Sequence, residues 1–298
     1  MKIKILIILL FCGISGIANA QTDTTDLMSL LGGEDEETNY TTATFKTTRL
    51  MNGHSVENQA AGVMDFRIHH RFGDINGGTY EWFGLDQANV KIGLDYGITR
   101  WLMIGVGHTN VDKTYDAFIK AKLLRQSTGK RRMPLSLTYL AGTAYTNLKW
   151  QYPDRNNYLT SRFSFTHQLL IARKFSNTTS IQIMPTLIHR NLIDSLKYKN
   201  DVIAIGIGGR QKLTQRLSIN AEYYYVLPNQ INEIYKNSLS LGFDIETGGH
   251  VFQLHFTNSR GMTEAQAITQ TIGDWLKGDI RFGFNISRVF TLRERKKD

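Results

Sequence analysis

The sequence offers one adjacent pair of residues that could take part in covalent catalysis, His54 and Ser55. A serine hydrolase places a Ser hydroxyl beside a His base, and a third group orients the imidazole. Side chains of adjacent residues in an extended segment point in opposite directions, and the chain has no Gly-x-Ser-x-Gly nucleophile elbow. We therefore expect no enzymatic activity, and a lipase-type hydrolase that acts through Ser55 is the catalytic alternative.

The chain contains 8 histidines, but their spacing does not favour a metal site. His69 and His70 would lie on opposite faces of a strand and could not share an ion. His250 and His255 are separated by most of a strand, and no His-x-His pair occurs. The glycines at 206–209 lack the Lys-Ser/Thr pair and the helix of a phosphate-binding loop. We predict no metal site and no cofactor.

Charged residues of both signs occur at positions that alternate with apolar ones, where they would line the inside of a barrel. The candidate lumen residues are Asp65, Arg67, Lys91, Asp95, Asp116, Lys120, Lys122, Arg162, Arg210, Glu222, Asp244, Asp279 and Arg281. Such charges can pair across strands and hold a narrow barrel shut, or they can form rings that select small solutes. Structural pairing is slightly favoured because the two signs are nearly balanced.

The segments that would position these charges alternate apolar and polar residues. Residues 64–69 read MDFRIH, and residues 280–286 read IRFGFNI. Alternation over about eight residues indicates a strand that is buried on one face. About twelve such segments occur, centred near residues 67, 92, 104, 120, 138, 167, 184, 205, 221, 242, 254 and 283.

The connections between these segments alternate between long and short, with one reversal at the third and fourth. Soluble sandwiches have no reason for this alternation, whereas outer-membrane barrels combine short periplasmic turns, long outer loops and an even number of strands. The apolar face would contact lipid, and the polar face would line the lumen. The sequence predicts an all-β fold, a transmembrane antiparallel up-and-down β-barrel of about twelve strands with both termini in the periplasm.

Two residues do not fit this pattern. His167 falls on the lipid-facing side in the middle of a predicted strand, and Pro185 cannot donate a hydrogen bond to a strand ladder. Each is expected to mark a β-bulge or a shifted register.

The first twenty residues have the layout of a secretory signal peptide. Lys2 and Lys4 precede an apolar run over residues 3–17, and Ala18-Asn19-Ala20 supplies the small residues of a cleavage site. Cleavage before Gln21 would remove Cys12, the only cysteine, and would leave no disulfide or thiolate. Export and cleavage of residues 1–20 are therefore expected.

The remaining chain divides into three parts. Residues 21–60 form a polar N-terminal periplasmic arm with an acidic run at 34–37, residues 61–290 form the barrel, and residues 291–298 form a basic tail. The arm is expected either to lie at the periplasmic mouth or partly within the barrel, or to be a flexible tether. The net charge of +9 favours lipid and lipopolysaccharide phosphates as partners rather than nucleic acid.

Several segments are similar to one protein family. They are residues 52–58 (NGHSVEN), 66–78 (FRIHHRFGDINGG), 83–99 (FGLDQANVKIGLDYGIT), 114–129 (TYDAFIKAKLLRQSTG) and 245–259 (IETGGHVFQLHFTNS). They resemble the β-barrel proteins grouped as domain-of-unknown-function family 5777, which are typical of Bacteroidota. The resemblance implies a barrel in the outer membrane of a Gram-negative cell and implies no particular activity.

The last predicted strand, which ends at Phe290, resembles the C-terminal signal that the barrel-assembly machinery recognises, apart from the basic tail that follows. That machinery is the expected partner during biogenesis, and no specific protein partner is indicated. Passage of small polar solutes is the first expectation for function. A non-conducting barrel that serves as an anchor or a partner-binding scaffold is the second.

Overall fold

The computed structural model describes residues 37–193, 195, 197–248 and 250–293, and its main feature is a closed barrel of twelve antiparallel strands. The wall strands are β2 (Val63–Asp74), β3 (Ala88–Gly97), β4 (Leu102–Thr109), β5 (Thr114–Leu124), β7 (Ser136–Thr146), β8 (Phe163–Lys174), β9 (Thr179–Arg190), β10 (Asp201–Lys212), β11 (Leu217–Val226), β12 (Leu239–Thr247), β13 (His250–Thr257) and β14 (Arg281–Thr291). Consecutive wall strands pair, and β14 closes the ring on β2.

Outside the wall, β1 (Asn39–Tyr40) pairs with β6 (Ser127–Thr128). The connections contain one α-helix of the described residues, α1 (Glu264–Thr269), and short 3₁₀ turns. The 3₁₀ turns are Ile75–Gly77, Trp82–Gly84, Val111–Lys113, Leu159–Arg162 and Trp275–Lys277. No helix in the described part of the chain is long and apolar enough to cross a membrane.

Side-chain burial alternates along the wall strands, as the sequence pattern requires. In β10, the outward-facing Ile203, Ile205 and Ile207 are 48%, 47% and 50% exposed, whereas Val202 and Ala204 point inward and are buried. The two faces therefore follow the two-residue period of a strand. Each of the twelve predicted strand centres falls within a wall strand, and the predicted barrel fold is confirmed.

The two ends of the barrel differ in their connections. One end, the turn end, carries the connections β3–β4, β5–β7, β8–β9, β10–β11 and β12–β13, and the opposite end, the loop end, carries the others. The expected reversal is present, because residues 110–113 make a short link at the loop end and residues 125–135 a long one at the turn end. The chain enters the first wall strand and leaves the last one at the turn end. There, Gly62 N donates to Gly97 O, and Leu292 N donates to Gly62 O.

The expectation of a bulge or shifted register at Pro185 is wrong. Strands β8 and β9 pair in one register on both sides of it, from Gln168 opposite Thr186 to Ile171 opposite Ile183. On its other side, Pro185 lies opposite Ile205 in an unbroken ladder. Because proline lacks an N–H, pairing with β8 lapses at this point without moving the strands.

His167 also lies in a regular strand, so the expectation of an irregularity there is wrong. Its ring faces outward from β8, and Nδ1 lies 2.7 Å from the hydroxyl of Tyr139 on β7. This neighbour supplies a hydrogen-bonding partner for a polar ring on the outer face. The register shifts in the described wall lie elsewhere, between Lys122 and Leu124 and between Arg281 and Gly283.

The outward position of Phe243 in β12 gives a direct test of which face meets lipid. Its side chain is 43% exposed, and arginine at a mid-membrane lipid-facing position costs about 2–4 kcal/mol. Phe243→Arg should therefore lower the free energy of unfolding by this amount in a denaturant titration in lipid vesicles. Phe243→Leu is the control and should cost far less; equal costs would mean that this side chain does not face lipid.

The neighbouring Gly242 faces the lumen, but an arginine at this position cannot serve as the inward-facing comparison for Phe243→Arg. Even a Cβ atom at this position would collide with the carbonyl oxygen of Leu254 and with the side chain of His255. Arginine at Gly242 would therefore report steric strain rather than its electrostatic environment.

Candidate functional site in the barrel lumen

The lumen is occupied by the segment that precedes the first wall strand. This segment, residues 44–56, is called the plug below; Phe45, Leu50, Met51 and Val56 within it are at most 3% exposed. The chain enters from the turn end, where β1 pairs with β6, and returns there to begin β2. For residues 44–56, the structure agrees with the alternative in which the N-terminal arm lies within the barrel. Residues 21–36 lie outside the described residues.

The plug folds back on itself to form a hairpin. Leu50 N donates to Gly53 O at 2.8 Å, and Ser55 N donates to Thr48 O at 3.0 Å. These bonds satisfy only part of its backbone, and a buried backbone group without a partner is costly. Several of the remaining donors and acceptors at the tip bond to side chains of the barrel wall.

Glu222 on β11 is the main acceptor for the tip. Its carboxylate receives the backbone N–H groups of Met51, Asn52 and Gly53 at 3.3, 3.2 and 3.0 Å. Glu222 is 1% exposed, and a buried carboxylate needs charged or hydrogen-bonding partners to offset its lost hydration. The tip and this carboxylate therefore stabilise each other.

Side-chain donors of the wall bind the plug carbonyls and amides from several directions. Gln253 Nε2 donates to Leu50 O at 2.7 Å, and Asn285 Nδ2 donates to Met51 O at 3.1 Å. Arg71 Nη2 donates to Asn52 Oδ1 at 2.9 Å. On other strands, Gln182 Nε2 donates to the carbonyl of His54 at 2.8 Å, and Lys120 Nζ donates to that of Thr48 at 3.3 Å. The plug is thus bound by polar side chains around much of the wall.

A second insertion enters the lumen from the loop end. It belongs to the connection between β13 and β14, and every residue of α1 in it is buried. The Thr263 side chain caps α1 by accepting from Gln266 N. Gln266 Nε2 donates to Val111 O and Thr114 Oγ1, and Lys91 Nζ donates to Met262 O. These contacts attach the insertion to β3 and β5.

The two insertions meet at a polar contact built on the Arg49–Glu264 ion pair, which we call the latch and define as Arg49, His54 and Glu264. Arg49 Nη1 lies 2.8 Å and His54 Nε2 lies 3.1 Å from Glu264 Oε1. Both plug residues also pack on Phe118, with the His54 ring centroid at 4.5 Å and the Arg49 guanidinium carbon at 5.0 Å from the Phe118 ring centroid. The latch connects a segment from one end of the barrel to a segment from the other.

One part of the inner face is apolar, which the alternation did not predict. The inward-facing apolar residues are Leu170, Ala172, Met184, Ile188, Val202, Ala204, Tyr224 and Val226 on β8–β11. They pack with Ala265 and Ile268 of α1 and with Phe45 and Leu50 of the plug. The expected lining of polar residues and glycine is therefore corrected for these four strands, because here the inner face covers protein instead of water.

Most of the predicted lumen charges do face the interior, and several pair with one another. Arg67 Nη1 lies 3.2 Å from Asp65 Oδ2 and 4.0 Å from Asp95 Oδ2. Lys91 Nζ lies 2.8 Å from Asp116 Oδ2. These five charged residues therefore pair with one another inside the barrel, as in the structural alternative.

The other inward-facing charges bind the plug, its flanks, strand ends or, for Asp244, a polar residue of the adjacent wall strand. Arg210 Nη2 donates to Ala43 O, and Lys122 Nζ lies 3.5 Å from Glu57 Oε2. Asp244 Oδ1 accepts from Gln253 Nε2, and Arg281 Nη2 lies 2.6 Å from Asp74 Oδ2. Glu222 and Lys120 bind the plug as described above.

Arg162 and Asp279 lie beyond the ends of the wall strands at the loop end, where Arg162 lines a cavity with Arg190 and residues of α1. Arg162 ends a 3₁₀ turn before β8, donates to the carbonyl of Thr146 and lies over the Trp150 ring. Asp279 precedes β14 and accepts from Asn76 Nδ2 at 2.6 Å. In both places the alternating pattern continues past the end of the strand.

Three important residues were missed by sequence reasoning. Arg71 lies inward on β2 with the same parity as Arg67, so the alternation contained the signal. Arg49 and Glu264 lie outside alternating segments, and no local pattern marks them.

The Ser55 hydroxyl donates to Thr47 O, so it is not paired with its neighbouring imidazole. Among the described residues, no group of three or more His, Cys, Asp or Glu could hold a metal ion.

The chain matches a family model described as "Membrane bound beta barrel domain (DUF5777)" over residues 45–290. No curated protein matches it in sequence. Among solved structures, it is similar to the NanC porin, with 7% identity, a TM-score of 0.47 and coverage of 76% of this chain and 98% of that chain. For Omp33 of Acinetobacter baumannii the identity is 10% and the TM-score 0.43, with coverage of 80% of this chain and 100% of that chain. For the outer membrane phospholipase A from Escherichia coli the identity is 12% and the TM-score 0.44, with coverage of 76% of this chain and 89% of that chain.

Proposed function

The chain belongs to this family of membrane-bound β-barrel domains, and we propose that it forms an outer-membrane channel for small polar solutes that its own plug closes. The observation that carries the proposal is the chemistry of the plug's partners on the wall. The wall binds the plug through polar or charged side chains, which are those of Arg71, Lys120, Gln182, Glu222 and Asn285. If the plug leaves, the same side chains line a hydrated passage.

The way the plug is attached also supports a movable closure. Its backbone makes no ladder with a wall strand in the described residues, and β1, which leads into it, pairs with β6 outside the barrel ring. The plug can therefore leave without breaking a strand pair of the wall. A twelve-stranded barrel is wider than the eight-stranded ones that side chains alone can fill, so plug release would open real space.

Localisation follows from the same proposal. We place the turn end and both termini in the periplasm, because outer-membrane barrels carry their short turns on that side. Residues 1–20 act as the export signal, and they lie outside the described residues. Membrane lipid, lipopolysaccharide and the barrel-assembly machinery are the proposed partners, and the proposal assigns the chain no catalytic role.

A non-conducting barrel that serves as an anchor or scaffold is the second candidate, favoured by the apolar part of the lumen. Phe45 and Leu50 of the plug belong to the same buried cluster as Ala265 and Ile268 of α1. Such packing stabilises a permanently filled interior, since releasing the plug would expose it to water.

Recordings of the purified full-length protein in planar bilayers separate the two candidates. Glu222→Gln removes the charged acceptor of three plug N–H groups and should cost the inserted plug about 1–3 kcal/mol. This corresponds to a roughly 5- to 150-fold shift toward the released plug. Openings of the intact protein should be rare, and those of the variant should be more frequent by a comparable factor.

Asp116→Asn is the matched control, because Asp116 pairs with Lys91 of the wall and, among the described residues, makes no hydrogen bond to the plug. It should leave the frequency of openings near that of the intact protein. If the Glu222 variant is folded and stays silent, the barrel does not conduct and the scaffold role is favoured.

A further inference from the structure

A cavity of about 560 Å³ at the turn end combines positive charge with apolar surface. Four arginines line it, Arg100, Arg125, Arg131 and Arg132, together with Trp101 and Leu123. Of all the lining residues, only Lys122 takes part in the lumen contacts described above, through its pair with Glu57. The cavity lies between the β3–β4 turn and the long β5–β7 connection, so it belongs to the outside of the barrel.

Lys122 also lines this cavity and is paired with Glu57, whereas the four arginines have no such partner in the described part of the chain. No carboxylate among the described residues lies within ion-pair distance of the four arginines. The guanidinium carbon of Arg125 lies 4.3 Å from the ring centroid of Tyr40, a cation–π contact that orients the group and keeps its charge. Four arginines thus line the cavity, and their guanidinium groups donate no hydrogen bond within the described part of the chain.

The β5–β7 connection, which carries Arg125, Arg131 and Arg132, is held in place by several bonds. Ser127 and Met133 exchange backbone hydrogen bonds at 3.0 and 3.1 Å, and Ser127 Oγ donates to Arg131 O at 2.7 Å. Gln126 joins it to the next turn, since its side chain bonds both N and O of Lys174. These three arginines are therefore presented by a braced hairpin, which lowers the entropic cost of binding.

The apolar side of the cavity faces the membrane. Leu123 continues the outward-facing positions of β5 and is 55% exposed, and Trp101 in the adjacent turn is also 55% exposed. Tryptophan is enriched at the boundary between the headgroups and the hydrocarbon of a membrane. The cavity thus lies at this boundary, with arginines on its aqueous side and apolar groups on its lipid side.

We propose that this cavity binds the headgroup of an anionic phospholipid. The arginines would bind the phosphate through paired N–H donors, a geometry that guanidinium groups provide and ammonium groups do not. The first carbons of the acyl chains would lie against Trp101 and Leu123. Basic pockets at a membrane surface commonly recognise anionic lipids in this way, and the apolar side favours a lipid over a free anion.

Native mass spectrometry of the folded full-length protein in detergent tests the proposal, with phosphatidylglycerol, phosphatidylcholine and inorganic phosphate as separate probes. Phosphatidylglycerol should bind about tenfold more tightly than phosphatidylcholine, and the double variant R131Q/R132Q should lose this preference. The double variant K212Q/R216Q removes the same charge from the β10–β11 turn at the same end, and it should keep the preference.

Two further measurements distinguish a lipid site from a simple anion site. Trp101→Ala should weaken binding of phosphatidylglycerol, because it removes the apolar contact. Inorganic phosphate at equal concentration should not displace the lipid; if it does, the cavity binds free phosphate and the lipid proposal is overturned. An unchanged lipid preference in R131Q/R132Q also overturns it. Neutralising the acidic run at 34–37 should leave binding of phosphatidylglycerol unchanged or strengthen it. A loss of this binding would contradict the assignment of the cavity as a lipid site.

Discussion

Removing residues 21–60 while keeping the first twenty is expected to raise single-channel conductance from rare openings to a lasting open level. The deletion takes away the plug and leaves all twelve wall strands, which begin at Val63. Glu222 and Lys120 lose their plug partners, but water enters with the removal and hydrates them, so no buried unpaired charge remains. The barrel should therefore still assemble, which heat-modifiable migration on a gel can verify.

The size of the open level should also depend on α1, which still fills part of the loop-end half of the lumen. A second deletion that shortens the β13–β14 connection should increase conductance further. If the first deletion assembles and its conductance equals that of the intact protein, the plug does not close the pathway. If it fails to assemble, the N-terminal segment is required to build the wall.

Glu264→Ala is expected to lower the free energy of unfolding by about 3–5 kcal/mol, the usual effect of removing one partner of a buried ion pair. Its side chain is only 10% exposed and that of Arg49 is 3% exposed, so the variant leaves a buried guanidinium without its carboxylate. Denaturant titration of the refolded barrel, followed by tryptophan fluorescence, measures the loss.

Two controls assign this loss to the latch. Glu246→Ala breaks the pair between Lys46 and the 46% exposed Glu246, and an exposed pair contributes only about 0–1 kcal/mol. In the deletion of residues 21–60, where Arg49 and His54 are absent, Glu264→Ala should cost little. An equal loss with and without the plug would mean that Glu264 acts through α1 alone and that the latch does not join the two insertions.

The wall could be predicted from sequence because its information is local. Each strand lies between lipid and the lumen, so every second side chain must be apolar, as Ile203, Ile205 and Ile207 show. Pro185 gave a misleading signal because the loss of one donor interrupts a ladder without moving the register of strands that pair on both sides.

The interior was harder to predict because its contacts join distant parts of the chain. Plug residues 44–56 do not alternate, and their partners lie on β2, β5, β9, β11, β13 and β14, so no short window contains the signal. Glu264 lies 215 positions from Arg49 in a connection that looks like an ordinary loop. The apolar inner face of β8–β11 is visible in residues such as Leu170 and Met184, but its purpose is clear only once α1 is known to pack there.

The plug contacts both sides of the seam between β14 and β2, so its contacts depend on closure of the ring. The plug is bound on one side of this seam by Arg71 of β2 and on the other by Gln253 of β13 and Asn285 of β14. A sheet that is still open at the seam cannot make both sets of bonds, so its polar interior stays incomplete until the last strand arrives. The plug therefore gains its full set of wall contacts only when β14 pairs with β2.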